Sequence, residues 1–111
     1  GAPEMILPLS TAFEAGGRVA PSDPRRKFYR GAGLVLKREN PEEAERLLQE
    51  YLKRAPKRAG YPSKAAAHVW LGRLYESQDR AEDARKEFEN AFRLDPKNKL
   101  AQEALKKIKK S

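Results

Sequence analysis

His68, the serines at 22 and 63 and the acidic run Glu42, Glu43 and Glu45 are the residues whose types could do chemistry in this 111-residue chain. There is one histidine and no cysteine. A zinc site takes three or four His, Cys or carboxylate ligands, so His68 has no second imidazole or thiolate with which to share a metal. It reads as a histidine at a helix interface. A serine nucleophile needs an adjacent base, and Ser22 and Ser63 stand instead where helices begin, as caps for orphan amides. The three glutamates crowd another helix start, where the positive end of the helix dipole favours anions. No arrangement for acid–base or nucleophilic catalysis is left. The expectation is a non-enzymatic protein with no cofactor and no metal.

Charge is the next signal. Lys and Arg number 24 against 16 Asp and Glu, a formal charge of +8. Such a balance permits an acidic or polyanionic partner, yet charge bears on encounter more than on identity. Residues 25–58 hold eleven cations and five anions. These cations alternate with Glu and lack a set of interleaved aromatics for base stacking, so nucleic acid is the disfavoured partner class. No apolar run nears the roughly 18 residues of a transmembrane span; Met5-Ile6-Leu7 is broken at once by Pro8. The first residues also lack the basic start and apolar stretch of a signal peptide. Absence of Cys suits a reducing cytoplasm, the first expectation, and equally a secreted domain stable without bridges.

The elements that must position any site are helical. Residues 1–24 carry four of the eight prolines and three of the seven glycines, which forbids a long helix there. This leader is expected to be disordered, or docked through Met5-Ile6-Leu7 and Phe13. From residue 25 onward the periodicity predicts five helices and no strand. Ser22 and Asp23 before Pro24 make a capped start, and the first helix runs to about Arg38. Asn40-Pro41-Glu42-Glu43 predicts a second start with Asn as cap and Glu43 reaching back; Ala44, Leu47, Leu48, Tyr51 and Leu52 then form one apolar stripe. Ser63 is expected to cap a third helix through Ser77, and Asp79 with Glu82 a fourth that Asp95-Pro96 closes. The fifth begins near Asn98, with Leu100, Ala104, Leu105 and Ile108 on one side.

Self-similarity is the strongest pattern. Leu71-Gly72-x-x-Tyr75, Ala84-x-x-x-Phe88-x-x-Ala91 and Asp95-Pro96 together resemble the tetratricopeptide repeat signature at each spacing, except that the Trp place falls on His68 and the actual Trp is Trp70. Gly72 would let paired helices approach closely. Aligning Pro56 under Pro96 gives a degenerate upstream copy, with Ala32, Val35, Ala44, Leu48 and Tyr51 under Gly72, Tyr75, Ala84, Phe88 and Ala91. The resemblance implies an all-α fold: a short right-handed solenoid of antiparallel helix pairs. Its parts would be a first repeat at 25–58, an insertion at 59–64, a second repeat at 65–98 and a basic capping helix at 99–111.

The resemblance also implies a concave face lined by the first helix of each repeat. Carried over place by place, it consists of Arg26, Tyr29, Gly33, Leu36 and Lys37, then Ala66, Val69, Arg73, Glu76 and Ser77. The cap adds Leu100, Glu103, Lys107, Lys110 and Ser111. Arg26, Tyr29, Leu36, Lys37, Val69, Arg73, Glu76 and Lys107 are the expected peptide-binding residues, with Tyr29 and Val69 as apolar contacts. The partner expected is a protein or peptide with acidic and apolar side chains. Self-association through the repeats or the leader is the alternative. The family's carboxylate clamp for chaperone tails is absent, because its places fall on Tyr29, Gly33, Trp70, Leu100 and Ala104.

Overall fold

A computed structural model describes residues 23–110, and Asp23 stands immediately before its first helix. Its carboxylate accepts the Arg25 amide at 2.9 Å and pairs with the Arg25 guanidinium at 2.6 Å. That guanidinium hydrogen bond holds the Asp23 carboxyl below the usual carboxylate range. With Pro24 supplying the first helical residue, α1 runs Pro24–Lys37. It is followed by α2 Pro41–Arg54, α3 Lys64–Ser77, α4 Ala81–Leu94 and α5 Lys99–Lys110. No strand is present among the described residues. The expected docking of Met5-Ile6-Leu7 and Phe13 lies outside them.

The helices form two antiparallel pairs, α1 with α2 and α3 with α4, and α5 closes the array against α4. Each helix of the second pair starts and stops forty residues after its counterpart in the first. Corresponding places share a fate: Ala44 and Ala84 are wholly buried, as are Leu48 and Phe88, and Tyr51 and Ala91. Small residues let the helices close, and the larger ones fill what remains. α3 is central, and it buries Ala65, Ala67, Val69, Leu71, Gly72, Leu74 and Tyr75 because helices lie on several sides of it. α2 and α4 bury a single stripe each. Polar links tie neighbours together: Lys27 to Glu50 between α1 and α2, Tyr75 Oη to Glu45 between α3 and α2, His68 Nδ1 to Glu87 between α3 and α4. His68 is thus the interface histidine its sequence context predicts.

The predicted caps at Asp23 and Ser63 form: Asp23 serves α1, and Ser63 Oγ accepts the Ala66 amide for α3. Asn98, expected only to mark the start of the last helix, also caps it, its Oδ1 accepting the Ala101 amide. The expected cap at Ser22 lies outside the described residues. Two predicted caps do not form. Asn40 has left-handed backbone angles (φ 43°, ψ 64°) and makes no side-chain cap, since a capping side chain needs extended backbone to reach the N2 or N3 amide. Glu43 bonds Arg46 instead of reaching back. Asp79 lies one place too early: it takes a left-handed φ of 63° and lets the Arg80 amide close α3 on Tyr75 O at 2.9 Å, a six-to-one helix end. Arg80, with no cap of its own, begins α4.

Candidate functional site

The gaps between α1 and α3 and between α3 and α5 are open clefts. The α1–α3 cleft, about 650 Å³, is lined by Val35, Leu36, Arg38, Trp70, Arg73, Glu76 and Ser77. The α3–α5 cleft, about 480 Å³, is lined by Val69, Arg73, Glu76, Phe88, Leu100, Glu103, Ala104 and Lys107. Arg73 and Glu76, one turn apart on α3, belong to both. They form the ridge between the two.

Several features of this ridge follow from the sequence. α3 buries half of its residues, and Arg73 and Glu76 lie on the strip left in solvent. The Arg73 guanidinium lies 5.0 Å from the centre of the half-buried Trp70 ring, a cation–π contact that orients it at little cost in exposure. Among the described residues no carboxylate is within ion-pair distance of Arg73. Its five N–H donors are available to a carboxylate from outside. Leu36 and Leu100, one in each cleft, are 68% and 51% exposed. Two leucines that contribute little to the core thus flank a cation with no acidic partner among the described residues.

Of the residues expected to bind, Leu36, Val69, Arg73, Glu76 and Lys107 come together in the clefts. Val69 requires a correction: it is 2% exposed and forms floor beneath Arg73, so it offers almost no surface for contact. Tyr29 is half-buried and packs edge-on against Phe28 at 5.3 Å between ring centres. Arg26, Tyr29 and Lys37 are on α1 and line neither cleft. Sequence reasoning did not include Arg38. That residue ends α1 in a left-handed cap, and a helical register cannot place a side chain that has left the helix. Trp70 packs on the core and lines the α1–α3 cleft.

Among the described residues no group of three or more His, Cys, Asp or Glu could hold a metal ion, and no helix is long and apolar enough to cross a membrane. A family model described as tetratricopeptide repeat matches residues 29–99. No curated protein and no solved structure matches the chain.

Proposed function

The chain belongs to the tetratricopeptide repeat family, and from that premise we propose that it is a non-enzymatic protein-interaction module whose concave face binds a peptide or protein segment. Repeats of this family generally mediate protein–protein contacts. The observation that carries the finer reading is Arg73, shared by both clefts, stacked on Trp70, without a carboxylate partner among the described residues and flanked by exposed Leu36 and Leu100. A bound segment would place a carboxylate on Arg73, which can hold it by two parallel hydrogen bonds, and apolar side chains on the two leucines. Glu76, beside Arg73, would turn away segments whose acidic residue is out of register. Lys107, at the outer cleft, would speed encounter more than it prolongs residence.

Affinity capture with the immobilised chain tests this, using Arg73→Glu and the outer-face variant Arg85→Glu side by side. Partners retained by Arg85→Glu and lost by Arg73→Glu support the concave face. The reverse pattern overturns it.

A further inference from the structure

Between Glu50 and Glu76 the chain has no Asp or Glu, yet it holds Lys53, Arg54, Lys57, Arg58, Lys64 and Arg73. The fold gathers three of these around a separate cleft. The nine residues joining α2 to α3 make a longer connection than the four joining α4 to α5. They stand beside the end of α4, and the open cleft between them is lined in part by Ala55, Pro56, Tyr61 and Leu94 with Lys57, Arg58 and Lys64. Leu94 is 54% exposed. Among the described residues none of the three cations pairs with a carboxylate. The one acid lining the cleft, Asp95, already accepts the Lys97 amide at 3.2 Å.

The wall is held in place before anything binds. Tyr51 Oη donates to Pro62 O at 2.6 Å, and Ser63 caps α3. Arg25 lies over the Tyr61 ring at 4.4 Å and reaches Gly60 O at 3.4 Å, and Arg58 lies 5.2 Å from the same ring. Little loop ordering is left for a ligand to bring about. Unpaired cations around an apolar floor call for a partner that brings both carboxylates and an apolar side chain. Tyr61, the one aromatic lining the cleft, is already engaged by two guanidiniums, which disfavours the base stacking that single-stranded nucleic acid uses.

We infer that this cleft is a second docking surface, independent of the concave face, for an acidic protein segment that seats an apolar side chain on Leu94 and Ala55 and carboxylates opposite Lys57, Arg58 and Lys64. Its position between the two helix pairs makes the inserted connection the binding element.

The test is titration of the full ¹⁵N-labelled chain with three probes. One is a synthetic decapeptide of Asp and Glu around a central Leu-Phe. The second has Asn and Gln in place of the acids, and the third is a single-stranded DNA decamer. The acidic peptide should move the amide resonances of Arg58, Tyr61, Ala65 and Leu94. The neutral peptide, and the acidic peptide on a Lys57→Glu/Arg58→Glu variant of unchanged helicity, should each bind about tenfold more weakly or less. Resonance changes confined to Arg73, Leu100 and Lys107 would overturn this inference while leaving the concave reading intact. Tighter binding of the DNA at the same residues, or no change with millimolar acidic peptide, would also overturn it.

Discussion

A Cβ atom at Gly72 would lie 2.6 Å from Cε1 of Phe88, inside any real contact distance. Phe88 is 1% exposed and cannot swing aside, so the α3–α4 spacing depends on this glycine. Two effects compete in Gly72→Ala. Alanine gains about 1 kcal/mol of helix propensity, while overpacking costs about 1–3 kcal/mol; the second should win. Gly72→Leu should cost more still. Gly33 is the internal control, because no atom outside α1 lies within 4 Å of its Cβ position and the backbone is helical. Gly33→Ala should therefore stabilise the chain by about 0.5–1 kcal/mol. Urea denaturation of the variants checks both signs, and equal midpoints for Gly72→Leu and the parent would disprove the packing argument.

Why Gly72 was legible and Asn40 was not is a matter of what each residue senses. Gly72, Ala84 and Phe88 are read from a repeat whose spacing encodes helix contact, and the forty-residue offset between the helix pairs preserves that spacing. Asp23, Ser63 and Asn98 cap because the chain enters each helix in the form their side chains need. Asn40 and Asp79 sit in the tight turns within pairs, where backbone bonds such as Glu39 N to Leu34 O and Arg80 N to Tyr75 O close the preceding helix. The demand for left-handed backbone outweighs the capping preference there. Val69 shows the same limit at the site. A one-dimensional register assigns it to the concave face, but in three dimensions it shares the bottom of the α3–α5 cleft with Phe88 of α4 and Ala104 of α5 and keeps only 2% of its surface exposed.

Tyr51 and Tyr75 should make the fold sensitive to alkali. Burial pushes the Tyr51 phenol up to about 12 from its ordinary 10.0. Tyr75 moves the same way, through burial and then its hydrogen bond to Glu45. Below pH 10 Tyr51 is protonated in both folded and unfolded chains, so its contribution is complete. Between pH 10 and about 12 the unfolded chain sheds the proton and the folded chain keeps it, so stability falls as pH rises. Tyr51→Phe should lose about 1 kcal/mol at neutral pH with the Pro62 hydrogen bond, and should decline less steeply above pH 10. Parallel denaturation curves at pH 7 and pH 11 give the comparison; an identical alkaline slope in the variant would refute it.

Leu36 and Leu100 separate binding from folding. Both are largely exposed, and surface changes of this kind fall within about 0.5 kcal/mol of neutral. Leu36→Ser with Leu100→Ser should therefore leave the urea midpoint nearly unchanged. Affinity for a concave-face partner should fall by about 1–3 kcal/mol, the scale of an interface anchor. A large loss of stability would instead make these leucines part of the core.

Trp70 gives a direct readout of which surface is occupied. It is the chain's one tryptophan, it lines the α1–α3 cleft, and Arg73 lies 5.0 Å from its ring centre. A carboxylate that draws Arg73 away changes the charge over the indole and the water around it, so the emission of Trp70 should shift as the concave face fills. The α2–α3 connection has no such reporter, because Trp70 does not line its cleft. An acidic peptide bound there should leave the emission unchanged while it moves the Tyr61 and Leu94 amides. Arg73→Ala should shift the emission of the free chain toward that of the complex, since it removes the same cation. Should a concave-face partner bind with no change in Trp70 emission, Arg73 is not its anchor, and the carboxylate contact assigned to the ridge does not exist.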